Sequence, residues 1–518
     1  MSSIKKVLLP LFSGLLLTFL FWKVSGARFE DVFWGTWLLT SLLFMILFAL
    51  RRKFNETRFT TWLIVLSLIL RLGLGMATTF NLINWKYDQD HYQKGYLFKD
   101  AHIRDSQSWD LAFSDRPIWQ AFTSDFFADQ YGGLLATSAI IYRFLSPTNH
   151  FQINIIFLVA IVNVIGLLFL SRGLRIKEDD GKLSTVSKLI LLIYAFYPEA
   201  ILYSASQMRE PLLIGFSAIM FWVIFEKGLS LRKRIFLFSL VSALLLLVSF
   251  KIGLFIIFSF LLWSLFQPYA RENRHLRSKA ILIPIILVGM VPFIFAIKWV
   301  VEAGKWDAYL LERSSGFVQY IVSVIGKRFR LPFATLYGLF QPVLPAALIE
   351  PAKPFWTSLN SLRALGWYLL MPALIYGLVY FFREKDRQKK WVFLMIWGLS
   401  IFWIILSSTR AGGDMWDNPR YRLSFLIFIA TAASNAAVFG WKTRDHWLKR
   451  IILGEIVFLL FFTQWYLSRY FRIFENLPFF RMVIILLFIF ALIVISGIFY
   501  EIRRKKESSK TTTMASQN

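Results

Sequence analysis

Residues 59–80, FTTWLIVLSLILRLGLGMATTF, are followed within seven residues by Tyr87-Asp88-Gln89-Asp90-His91-Tyr92. The first stretch is an apolar run long enough to cross a bilayer, which takes about 20 residues in a helix. Its one ionisable group is Arg71. An ionised residue at that depth either serves function or belongs to a buried structural pair. The second stretch sets two carboxylates among aromatic side chains at the mouth of that helix. There they can activate a hydroxyl or hold a divalent cation that bridges phosphate oxygens. Solvated loop acids often fall into Asp-x-Asp, so it is the position that gives this motif its weight.

Apolar runs of the same kind recur along the whole chain of 518 residues, which is 57% hydrophobic with 54 Phe and 20 Trp. They lie at 7–22, 33–50, 59–80, 151–171, 184–199, 211–226, 235–250, 252–267, 280–299, 362–382, 391–408, 421–440, 451–467 and 482–500. No period-two alternation suggests a barrel. The pattern predicts an all-α polytopic membrane protein with about 14 transmembrane helices. We divide it into an N-terminal transmembrane hairpin at 1–58, a main membrane domain at 59–500 and a disordered cytoplasmic tail at 501–518. Lys5-Lys6 followed by 7–22 reads as an uncleaved signal anchor, with cleavage near Ser25-Gly26-Ala27 as the alternative. There is no cysteine, which excludes disulfides, thiol catalysis and cysteine-ligated metal.

The net charge is +27, but the basic residues cluster in short loops between apolar runs. The positive-inside rule explains that distribution better than a nucleic-acid partner does. With the N-terminus inside, the cytoplasmic connections hold Arg51-Arg52-Lys53, the 172–188 and 271–279 segments, Arg232-Lys233-Arg234, and the 383–390, 442–450 and 503–506 segments. The loop at 81–130 is instead acidic, with Asp88, Asp90, Asp100, Asp105, Asp110, Asp115, Asp125 and Asp129. The apolar stretch 131–145 is too short to span, and is predicted to lie along the outer face as a juxtamembrane helix or to re-enter. A second connection, broken by Pro332, Pro342, Pro345, Pro351 and Pro354, predicts interfacial segments. Two large outer loops, 81–150 and 300–361, therefore face away from the cytosol, and no phosphate-binding P-loop is present.

Asp88-Gln89-Asp90-His91-Tyr92 resembles the Asp-Glu-x-x-aromatic motif of the GT-C glycosyltransferases, in particular the protein O-mannosyltransferase and lipid A aminoarabinose transferase group. In that family the motif opens the first large outer loop directly after a transmembrane helix, and its first Asp is the catalytic carboxylate. By position that residue is Asp88. Gln89 replaces the family's Glu, and Asp90 is the residue able to supply a second charge there. Further stretches resemble family features in the same order. They are Asp129 to Leu134 with Ile141-Tyr142-Arg143-Phe144, Tyr197-Pro198 with Ser204 to Glu210, Phe250-Lys251-Ile252-Gly253, and Arg420-Tyr421.

The resemblance implies a GT-C-like bundle with outer-face juxtamembrane helices. It also implies transfer of a sugar from a polyprenyl-phosphate donor to a glycan, lipid or protein acceptor at the outer face of a membrane, read as the bacterial inner membrane. Asp88 is then the base, with Asp90 as its helper or, with Asp88, as a metal ligand. Arg209, Lys251, Arg420 and Tyr421 hold the donor phosphate, and Glu210 and Tyr92 support them. The resemblance implies no definite cofactor, and a divalent cation is compatible with the two carboxylates. The partners are the lipid-linked sugar, its acceptor and membrane lipids. His91 and His102 read as surface histidines. Two other functions fit the same layout: a polysaccharide polymerase or ligase, and a lipid-linked-sugar transporter or flippase.

Overall fold

The computed structural model describes residues 3–85, 87–126, 132–177, 182–266, 279–473, 475 and 477–515. Among them the regular structure is helical. In chain order the helices are α1 (Ser3–Ser25), α2 (Phe29–Phe54), α3 (Arg58–Asn84), α4 (Asp90–Gln93), α5 (Lys99–Phe113), α6 (Gly133–Leu145), α7 (Ile153–Lys177) and α8 (Thr185–Phe196). Next come α9 (Pro198–Ser204), α10 (Glu210–Phe225), α11 (Leu231–Val248), α12 (Phe250–Phe266), α13 (Lys279–Ser314), α14 (Gly316–Ile325), α15 (Arg330–Leu339) and α16 (Leu344–Ile349). The last are α17 (Pro354–Arg383), α18 (Arg387–Ala411), α19 (Asp417–Leu423), α20 (Leu426–Lys442), α21 (His446–Phe471) and α22 (Phe479–Ala515).

Every apolar run read from the sequence coincides with one of these helices or with a bent pair. Among the described residues, eight are long and apolar enough to cross a membrane, or ten if α8–α9 and α19–α20 each make one span. α6, α10, α12 and α14 are apolar but shorter. The architecture is thus all-α and multi-pass. α22 runs beyond Tyr500 to Ala515, where the sequence predicted a disordered tail. Once a helix is nucleated by an apolar span, Glu, Lys and Arg propagate it at little cost. The predicted basic segment 271–279 lies outside the described residues except for its last residue.

The chain divides into two compact units: Met1–Glu302 with Arg420–Ala430, and Ala303–Pro419 with Thr431–Asn518. In the first unit the N-terminal hairpin is built into the bundle. Thr36 Oγ1 donates to Asn154 Oδ1 of α7 at 3.0 Å. α7 and α10 pack through small residues. A Cβ on Gly166 would stand 2.7 Å from Gly215 Cα, and one on Gly215 would stand 2.9 Å from Val162 O. Close approach of this kind drives helix association where lipid tails remove the hydrophobic incentive.

The same unit has a basic pole. Arg175 donates to Phe54 O at 2.9 Å and Asn55 O at 3.1 Å, capping α2, and pairs with the buried Glu56. Arg172 meets Glu226 at 3.3 Å, and Arg234 donates to Glu226 O at 2.7 Å. Three basic connections that the charge rule put on one side therefore share one end of this unit. In the same unit, Tyr197-Pro198 bends α8 against α9 by 42°. Proline cannot donate to Tyr194 O. The buried Arg71 takes that place, reaching Tyr194 O at 3.4 Å and Ala195 O at 2.9 Å. Arg71 is therefore a structural cation that satisfies a broken span.

The second unit has a polar cluster of its own. Asp445 Oδ1 caps α21 by accepting from Trp447 N at 2.9 Å, and Oδ2 accepts from Tyr376 at 2.9 Å and Arg383 at 2.7 Å. Arg383 and Trp447 both reach Glu501. The 383–390, 442–450 and 501 regions thus meet within this unit. The proline-broken connection folds into α14, α15 and α16. Arg363 donates to Met415 O at 2.7 Å and stacks 4.0 Å over the Trp416 ring.

Candidate functional site

The Asp88 motif forms a tight turn at the end of α3. Tyr92 N donates to Gln89 O at 3.0 Å, and Gly95 closes the turn with φ +80°. A Cβ at Gly95 would meet the Thr79 backbone, so glycine is required there for two reasons. Asp88, Gln89 and Asp90 are exposed, and the half-buried Tyr92 lies against Tyr87 with ring centroids 5.3 Å apart. Asp90 pairs with Lys94 at 3.1 Å and approaches His102 Nδ1 at 3.8 Å. Burial, then Lys94, pull the His102 imidazole below its usual pKa against the pull of Asp90. At neutral pH His102 is therefore an uncharged neighbour of Asp90.

Asp100 lies in the first turn of the same helix, α5, two residues before His102. Asp100 Oδ2 accepts from Arg420 Nη1 at 2.8 Å, and Arg420 Nε donates to Glu210 Oε1 at 2.8 Å. Arg209 Nε reaches the same oxygen at 3.5 Å. Glu210 is fully buried, and its Oε2 has no hydrogen-bond partner among the described residues. Burial pushes this carboxyl up, but the Arg420 and Arg209 guanidiniums outweigh it and hold its pKa below the ordinary value. Acid–base pairing thus joins the first loop, the mouth of α10 and α19 in one polar cluster. Asp100 is its accessible edge, with a side chain 53% exposed against 10% for Arg420.

Of the residues singled out from the sequence, Arg209, Glu210 and Arg420 fall within this cluster, while Asp90 meets α5 through His102. Asp88 and Tyr92 sit on the adjoining turn. Glu210 is more than an ancillary group, because it bridges two of the predicted phosphate-binding arginines. Lys251 packs its ammonium 3.9 Å over the Trp299 ring, at the tight α11–α12 turn. Tyr421 is half-buried, with the Arg420 guanidinium 6.0 Å from its ring. The predicted Asp129-Gln130-Tyr131 stretch lies outside the described residues. Among the described residues no three His, Asp or Glu side chains converge as a metal-ligand set.

Two carboxylates of the acidic loop matter that the motif did not indicate. Asp100 is one. Asp105 is the other: it is buried and accepts from Tyr96, from Tyr142 of α6 at 2.6 Å and from His150 at 2.8 Å. Burial first and then the Asp105 charge push the Tyr96 and Tyr142 phenols up, so both stay protonated as donors. Arg143 of α6 caps α5 through Ala112 O at 2.9 Å and Leu111 O at 2.7 Å. The loop is therefore a packed platform, and α6 is one of its walls. Gln152 Nε2 reaches Lys94 O at 3.2 Å and Gln207 Nε2 reaches Gln152 O at 3.2 Å, which ties the motif turn to the approach to α10.

No family model, curated protein or solved structure matches this chain.

Proposed function

We propose that the protein is a membrane glycosyltransferase that moves a sugar from a polyprenyl-phosphate carrier to an acceptor at the extracytoplasmic face. The observation that carries this reading is the juxtaposition of an exposed carboxylate turn with a buried arginine cluster. Asp90 contacts His102 of α5, and Asp100 in the first turn of the same helix pairs with Arg420, which holds Glu210, all within one unit. A base and an anion site close to each other at the end of a membrane helix suit a donor that is both phosphorylated and lipid-soluble. In the reaction Asp88 takes the acceptor hydroxyl proton as that oxygen attacks the anomeric carbon. The bond from that carbon to the phosphate oxygen breaks, and the polyprenyl phosphate leaves with one more negative charge. Guanidiniums beside the leaving phosphate stabilise the charge as it grows.

Arg420 is already engaged by two carboxylates, and this decides how a donor is received. Glu210 is buried and keeps its bond to Nε, whereas Asp100 is half-exposed on Nη1. The donor phosphate displaces Asp100. Arg420→Gln is then expected to weaken binding of a polyprenyl-phosphate sugar roughly tenfold or more, the value of one charge-assisted contact. Asp100→Asn, which removes the competitor, strengthens binding several-fold. Isothermal titration in nanodiscs measures both. Unchanged affinity in both variants removes the phosphate site and favours the transporter reading.

A further inference from the structure

On the first unit a groove opens between α1, α2 and α3, with a cavity volume of about 610 Å³. Phe12 and Leu16 of α1, Phe48 of α2, and Leu68 and Gly73 of α3 form its walls. A Cβ added at Gly73 meets no atom within 4 Å, so the groove is open at that level. Among the described residues of the wall, Arg51 is the one that is charged. Its Nε–H donates to Thr61 Oγ1 at 3.0 Å, which pins the guanidinium at the end where the α3 lining begins. Arg52 and Lys53 follow it, at the basic pole.

All three helices are long and apolar enough to span a bilayer, so the groove lies at hydrocarbon depth. The lining of α3 from Thr61 to Met76 extends roughly 22 Å at about 1.5 Å per residue. The hydrocarbon core is about 30 Å thick. A groove that starts at headgroup level beside Arg51 therefore ends beyond the midplane, which suits one acyl chain and not a membrane-spanning one. The cation at its mouth selects a phosphate with no compensating positive group.

We infer that this groove is a specific site for one anionic glycerophospholipid, with its phosphate at Arg51 and one acyl chain lying between α1 and α3. The inference does not depend on the transferase reading, because the groove is built from residues outside the Asp88 cluster. To test it, the full chain is stripped of lipid in detergent and incubated with phosphatidylglycerol or phosphatidylcholine. Bound lipid is then counted by native mass spectrometry. The parent is expected to retain one phosphatidylglycerol and at least tenfold less phosphatidylcholine. Gly73→Phe, which fills the groove, retains neither, and Arg51→Gln loses the preference between them. If Gly73→Phe is not monodisperse, Leu16→Trp fills the groove from the 65% exposed α1 wall. Equal retention by the parent and a folded groove-filling variant, or no headgroup preference in the parent, overturns the site.

Discussion

At the scale of single residues, Glu210 is the group on which the arginine cluster depends. It is buried with one oxygen shared by Arg209 and Arg420. Removing one partner of a buried pair leaves the other charge uncompensated. Glu210→Gln is therefore expected to cost about 3 kcal/mol. The folded carboxyl titrates below its unfolded value, so its stabilisation is complete above the ordinary carboxylate range, about pH 5, and is lost as pH falls through the folded pKa. Thermal unfolding in detergent at pH 7 and pH 3.5 checks the sign: the gap between parent and Glu210→Gln narrows at the lower pH. A gap that stays constant or widens contradicts the assignment. Glu210 and Arg420 were legible in the sequence as charges beside apolar runs. Asp105 was not, because eight aspartates in one loop look alike until packing buries one of them against Tyr96, Tyr142 and His150.

At the scale of elements, the helices were readable because apolar runs of span length leave few alternatives. Their interruptions were harder. The α8–α9 bend at Tyr197-Pro198 interrupts what the sequence showed as one run, 184–199, and nothing in the sequence linked it to Arg71, which lies more than a hundred residues earlier. Arg71 and the carbonyls it caps meet only through tertiary packing. The contact between α7 and α10 through Gly166 and Gly215 was equally invisible, since a glycine in an apolar helix carries no label for its neighbour. Gly215→Val places methyl groups against the Val162 backbone. Overpacking at such a contact costs about 1–3 kcal/mol. Thermal unfolding of the variant is expected to show that loss, and an unchanged melting temperature contradicts the contact. The stretch expected to lie along the outer face or re-enter forms α6, a helix of 13 residues. Its function as a wall and cap for α5, through Arg143, emerged only from the structure.

For the whole molecule, the charge distribution predicts a topology that can be measured directly. The chain has no cysteine, so single cysteines report without background. Asp115→Cys is expected to react with a membrane-impermeant maleimide in intact cells, and Lys182→Cys only after lysis. Both positions are exposed. The reverse pattern inverts the chain and takes the Asp88 turn away from the outer face. Sugar transfer with Asp88 as base is tested by one assay. Membranes carrying the parent or Asp88→Asn, matched for expression, are given radiolabelled polyprenyl-phosphate sugars, and label leaving the lipid fraction is followed. A general base contributes about a hundredfold or more. The parent is expected to transfer label, and Asp88→Asn to lose at least that factor with donor binding retained. Transfer by Asp88→Asn within a few-fold of the parent, or label that crosses the bilayer still attached to its carrier, would contradict this reading.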